Sequence, residues 1–340
     1  LTYSIVSEPS NGTVSLSGNK VIYTPNTDYT GTDSFSYKAS DSGDDSEIKT
    51  VSIKIINSYS SSAMKTAEIN GEAAYDESGY SVSFNEDATI MAIGARYADG
   101  NYGYNSGHVR VFQFSNDSWS QLGKDIDGEA ANDYFGRSVS LSSDGTTLAI
   151  GSSDNDGYRT NSGHVRIYQF SNDSWSQLGA DIDGKFNNDR LGQSVSLSSD
   201  GNTVAIGAYG NDSNGSDSGH VKVYNYNGTW TQLGSDIEGE SASDYSGYSV
   251  SLSSDGNTVA IGAYKNDGNG SDSGHVRVFN YNGTSWSQLG EDIDGEAAND
   301  QSGYSVSLSS DGTTLAIGAN KNDGNGNDSG HVRIYNYDGT

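Results

Sequence analysis

One segment of this 340-residue chain returns five times, and that recurrence limits the folds open to it. Ser-Gly-His-Val followed by Arg or Lys stands at 106–110, 162–166, 218–222, 273–277 and 329–333. The histidines His108, His164, His220, His275 and His331 are 55 or 56 residues apart. Ser-Val-Ser recurs at 81–83, 138–140, 194–196, 249–251 and 305–307. Trp119, Trp175, Trp230 and Trp286 each follow their histidine by 10 or 11 residues. A fixed period of this size marks a supersecondary unit that buries its apolar faces by stacking on its neighbours.

The unit reads as strands. In the fourth copy, residues 249–253 (Ser-Val-Ser-Leu-Ser) alternate apolar and polar side chains, as a strand does. Asp255-Gly256 marks a hairpin, because glycine takes positive φ without strain. Thr258–Ala263 alternates again, a polar loop covers 264–274, and His275–Tyr281 makes a third strand. After Asn282-Gly283 a fourth begins at Trp286. No window shows helical spacing of apolar residues. Each unit is therefore a four-stranded antiparallel meander, and about 56 residues per four strands is the size of a β-propeller blade. Val and Ile line one side of the second strand and Ala260 and Gly262 the other, where small residues let the next blade approach. The expected class is all-β: a propeller of four-stranded antiparallel blades, preceded by a partial β-sandwich.

These residues resemble the FG-GAP repeats of integrin-α-type propellers. The second copy carries Phe135-Gly136 ahead of Ser138, and Gly94-Ala95, Gly207-Ala208, Gly262-Ala263 and Gly318-Ala319 stand where that family has Gly-Ala-Pro. The match covers residues 65–340 in five repeats. Two departures are visible. The Pro is absent from every copy, and the family's Asp-rich calcium loop between first and second strands is reduced to hairpins such as Ser254-Asp255-Gly256. The resemblance implies an extracellular protein and a seven-bladed ring, of which this chain would be part. The chain stops at Thr340, just before a fifth Trp strand is due; the alternative is a closed five-bladed ring with residues 62–70 supplying that strand. Residues 1–57 hold both prolines, Pro9 and Pro25, and no Trp or His. Their Tyr23-Thr24-Pro25-Asn26 and 29–37 segments resemble the C-terminal half of a bacterial cadherin-like sandwich repeat. Ser-rich 58–64 reads as a linker.

Charge locates the candidate chemistry. The net charge is −27, of which residues 65–340 carry −24. Nucleic acid and anionic membrane surface are excluded as natural partners, no stretch is apolar enough to insert in a membrane as a helix, and zero Cys removes thiolate chemistry. Strand order puts the second-to-third loops and the crossovers between blades on one face. The loops carry Asp212, Asn214 and Asp217; Asp267, Asn269 and Asp272; and Asp323, Asn325 and Asp328. Oxygen side chains at alternate positions, with Gly between, suit a hard cation such as calcium, which takes roughly six to eight oxygens. The competing reading is that they form Asx-turns on their own backbone. Asp244 and Asp300 in the crossovers, with Tyr209 and Tyr264, complete the expected ligand-binding rim; Tyr97, Tyr102, Tyr104 and Tyr158 are further loop aromatics. The histidines, one per blade, are too far apart to share a metal and are expected to make a repeated structural hydrogen bond; the tryptophans are expected to pack between blades. Every titratable type is spread evenly over the copies, so no set of distinct catalytic roles stands out and no enzyme is expected. The sequence thus points to a secreted or cell-surface adhesion protein that holds protein or glycan on its acidic loop face, with calcium as the candidate cofactor. A structural spacer of a large surface protein and a polysaccharide-active propeller enzyme are the alternatives.

Overall fold

A computed structural model describes residues 2–17, 20–27, 29, 31–41, 46–55, 68–100 and 102–337. The linker expected at 58–64, and most of the 62–70 segment, lie outside the described residues. The chain divides into two compact units, Leu1–Glu68 and Ile69–Thr340, and the described residues hold strands and no helix.

In the first unit, Gly31–Ser40 pairs antiparallel with Thr2–Ser7 on one side and Lys49–Ile55 on the other, and Gly12–Ser17 with Lys20–Pro25 forms a separate hairpin. Phe35 is its buried apolar anchor. Asp33 sits beside it and accepts from the N–H groups of Ser10 and Asn11 and from the Tyr23 hydroxyl, which ties the turn before the hairpin to the sheet.

The second unit is a β-propeller of five repeated sheets. In the third copy Leu191–Leu197, Thr203–Ala208, His220–Tyr226 and Trp230–Gln232 pair in that order, all antiparallel. The outer strand is broken: Ile237–Glu238 returns to the third strand beyond the Gly234-Ser235 bend. The fifth copy has its first three strands, Ser302–Leu308, Thr314–Ala319 and His331–Asn336.

Neighbouring copies share apolar cores, as where Val165 and Ile167 pack with Leu191 and Val204, and polar stitches cross the same interfaces. The first Ser of the first four Ser-Val-Ser segments donates to a glycine carbonyl of the next copy: Ser81 to Gly136, Ser138 to Gly192, Ser194 to Gly247 and Ser249 to Gly303, at 2.7–2.9 Å. The second Ser accepts a backbone N–H from the next copy, as Ser140 does from Leu197 at 3.0 Å. Close approach requires glycine on the second strand. A Cβ on Gly151 would lie 2.1 Å from the Gly192 carbonyl oxygen. The tryptophans pack between copies as expected. Trp175, Trp230 and Trp286 donate their Nε1–H to the carbonyls of Leu122, Leu178 and Leu233 in the preceding copy, at 2.8–2.9 Å.

Candidate functional site

The second-to-third loops and the crossovers meet on one face. Asn132, Tyr134 and Phe135 of the crossover donate their backbone N–H groups to the carbonyls of Tyr104, Asn105 and Ser106 in the loop of the preceding copy. Ser243, Tyr245 and Ser246 repeat this on Ser216, Asp217 and Ser218.

A buried Asp underpins each crossover. Asp133, Asp189, Asp244 and Asp300 are 2–3% exposed. They accept the backbone N–H of Ala130, Phe186, Ser241 and Ala297, and the side-chain amide of Asn155, Asn211, Asn266 and Asn322. Burial pushes the Asp133 carboxyl up to about 6 against these donors. Asp244 and Asp300, expected on the ligand rim, therefore lie beneath it. Their oxygens are spent on holding loop and crossover together, because an Asp three residues into a tight turn finds backbone N–H groups before it finds solvent.

The loop oxygens proposed for calcium make turns of their own. Asp212, Asp267 and Asp323 each accept the backbone N–H five residues on, from Asp217, Asp272 and Asp328, at 2.8 Å. Asn214 and Asn269 turn their amide nitrogens to the crossover, onto the carbonyls of Gly239 and Glu240 and of Gly295 and Glu296. Asn325 bonds Ser329 through its backbone. Among the described residues, the groups of three acidic or His side chains with ligand atoms within 4.8 Å of one another include none of the six aspartates.

Those groups are centred instead on the motif histidines, and the sequence reading missed them. His164 is buried with Nδ1 3.6 Å from Glu129 and 3.9 Å from Asp181. His220 faces Asp236 and Glu238 at 3.7 and 3.9 Å, and His275 faces Glu240 and Asp292 at 3.9 and 4.0 Å. These contacts are too long for hydrogen bonds, so the expected structural bond is absent. The Nε2 atoms of His108, His164 and His220 are buried without a partner. Burial, with a neighbouring Arg or Lys, brings His164, His220 and His275 down to about 4. The motif cation neutralises the carboxylates: Arg166 bridges Glu129 and Asp181, and Lys222 holds Asp236 at 2.6 Å. The signal was present in the sequence, since a Glu follows the crossover glycine at 72, 129, 240 and 296. The third copy has Lys185 there and Lys222 in place of Arg, a paired change.

The aromatic side chains of this face fall into two sets. Tyr209, Tyr245, Tyr248, Tyr264 and Tyr304 form a continuous network across the third to fifth copies, with ring centroids 4.5–5.8 Å apart. On the first two copies, Tyr75, Tyr97, Tyr104 and Tyr134 line a cleft of about 520 Å³ with Glu77, Asp99 and Asn105. Tyr75 is 93% exposed and Tyr104 67%. Tyr97 and Tyr134 meet edge to face at 5.2 Å.

Comparison with known proteins accounts for the frame of the repeat. A family model described as FG-GAP repeat matches residues 125–168, 182–224, 238–279 and 293–335, half of the chain. The chain belongs to the FG-GAP repeat family. Each FG-GAP match starts at the broken outer strand of one sheet and ends in the third strand of the next, so the family unit spans the interface just described. A bacterial Ig domain model matches residues 1–54, where the sandwich-repeat resemblance lies. Two solved structures share the propeller fold at a TM-score of 0.50 each. The periplasmic gluconolactonase PpgL of Pseudomonas aeruginosa is 18% identical, over 85% of this chain and 72% of that one. A Bacteroides uniformis protein described as a 6-phosphogluconolactonase is 12% identical, over 76% and 67%. A Kuenenia stuttgartiensis hydrazine synthase chain aligns at 15% identity with a TM-score of 0.47, and this FG-GAP chain spans 61% of its length. No curated protein matches the sequence. In these FG-GAP copies the hairpin where the family has its calcium loop is held by its own Asp: Asp255 accepts from the Ser253 hydroxyl and the Asn257 N–H. Asp311 does the same with Ser309 and Thr313, bonds that pull its carboxyl down to about 2.

Proposed function

We propose that this FG-GAP propeller is a binding module of a secreted or cell-surface protein, and that it holds a glycan on its loop face. The observation that carries this is the cleft of Tyr75, Tyr97, Tyr104 and Tyr134. Exposed phenol rings present flat apolar faces on which a sugar ring packs, and Glu77, Asp99 and Asn105 supply acceptors and an amide for its hydroxyls. A protein ligand reading a tyrosine-rich surface is the second reading, favoured by the network around Tyr248 and Tyr264. The family and the bacterial Ig domain that precedes it in the sequence are typical of surface proteins, which supports the location. Calcium is not needed to shape the rim, since the loop carboxylates already close their turns on backbone N–H groups. The recurrence of a carboxylate–His cluster in the first four copies supports binding rather than turnover. A glycan array probed with the whole chain tests the proposal. Binding to a defined set of glycans, lost in Tyr75→Ala and Tyr104→Ala, is expected; no bound glycan, with cell binding unchanged in both variants, would leave the spacer reading in its place.

A further inference from the structure

The first copy departs from the other four at one buried position. Asn155, Asn211, Asn266 and Asn322 occupy the same site in their loops, each accepting through its carbonyl the N–H of the glycine that opens the third strand. The residue making that bond in the first copy, to Gly107, is Ala98. The amide that caps the buried Asp elsewhere is therefore missing over Asp76. Asp76 is 6% exposed and keeps the N–H of Ala73. Gly100, whose counterparts donate to the lost Asn carbonyl, has turned to the Ser106 hydroxyl.

A cleft of about 370 Å³ lies in that place. It is lined by Ala98 and by Glu72, Asp76, Asp99, His108, Asp125 and Asp127. Glu72, His108 and Asp125 bring one ligand atom each within 4.8 Å of the others. His108 is 4% exposed and its Nε2 has no hydrogen-bond partner. The motif cation fills this gap less well than in the second copy. Arg166 grips both of its carboxylates, whereas Arg110 stands 3.6 Å from Glu72 and gives its other nitrogen to the Asn70 carbonyl, an arrangement that Arg277 and Arg333 share, so the first copy is set apart by Ala98 alone.

We infer that this cleft in the first copy binds one divalent transition-metal ion through the imidazole of His108 and the carboxylates of Glu72 and Asp125, with Asp76 beneath them. A nitrogen donor beside carboxylates selects Zn²⁺ or Mn²⁺ over calcium, which takes oxygen alone. The site uses none of the loop oxygens discussed above, and its three ligands are not among the residues that line the tyrosine cleft, although Asp99 borders both.

The test uses the full chain, with Zn²⁺ titrated by calorimetry and Mn²⁺ by electron paramagnetic resonance. Ala98→Asn restores what the other four copies carry and puts an amide over Asp76. Glu72→Gln removes an exposed ligand and leaves the fold intact. The wild type is expected to bind one ion more tightly than its remaining sites by at least tenfold, with a rise in melting temperature. Both variants should lose that binding step and the rise, while Ala98→Asn without metal melts no lower than the wild type. Absence of a tight site in the wild type, an unchanged affinity in either variant, or a site that takes Ca²⁺ as well as Zn²⁺ would overturn the inference.

Discussion

At the residue scale, the buried histidines set the response to acid. His275 is neutral in the fold, with its pKa lowered to about 4 chiefly by burial, while in the unfolded chain it titrates near 6.5. Below 6.5 the unfolded state takes up a proton that the fold refuses, so stability is lost as pH falls from 6.5 to 4. At pH 5 this one residue should cost about 2 kcal/mol relative to pH 7.5. Urea denaturation at the two pH values checks it: His275→Gln should shrink the difference by that amount. Asp133 has the opposite sign, since its raised pKa favours the fold as pH falls through about 6, and burial raises the carboxyls of Asp183, Glu238, Glu240, Asp244 and Asp294 in the same direction, so the His275→Gln comparison is what isolates the histidine. A pH dependence left unchanged in His275→Gln would contradict the assignment.

At the scale of strands and their interfaces, the stitches carry the predictions. Trp230→Phe keeps the ring contact with Tyr226 and removes the donor to the Leu178 carbonyl, which should cost about 1 kcal/mol. Gly151→Ala should cost far more, on the order of 3 kcal/mol, because the new methyl meets the backbone of the next copy and no side chain can yield. Chemical denaturation of the two variants checks the ranking. These interfaces also show how much was legible in advance. Strand order, hairpins and the inter-blade tryptophans followed from periodicity of two and from Asp-Gly turns, which are local signals. The return of the outer strand was missed, because Gly234-Ser235-Asp236 reads as the end of the strand and Ile237–Glu238, at two residues, is too short for alternation to show. The carboxylate–His clusters were missed for a different reason. They join a third strand to a crossover 35 or so residues earlier, and one sequence shows spacing along the chain but not across an interface. The same limit put Asp244 and Asp300 on the rim. Recurrence marked them as needed, and burial decided for what.

At the scale of the whole propeller unit, burial is uneven along the array. Val276 of the fourth copy is fully buried, and its counterpart Val332 in the fifth is 67% exposed. Val82 and Phe84 of the first copy are exposed as well. In a stacked array each copy is stabilised by its neighbours, so the middle copies should be the most resistant. Val276→Ala should cost about 2 kcal/mol and Val332→Ala less than about 0.5. Hydrogen exchange should show the slowest amides in Thr203–Ala208 and Thr258–Ala263, both buried throughout.

The central functional claim is that the tyrosine cleft of the first two copies holds a glycan. Calorimetric titration of the best array glycan into the wild type and into Tyr104→Ala tests it most directly. Tyr104 is exposed and its loss should leave the melting temperature unchanged, so any change in affinity reports on the cleft. The account predicts a loss of at least tenfold, about 1.4 kcal/mol for one stacking ring. Equal affinity in the two proteins would place the ligand elsewhere and contradict it.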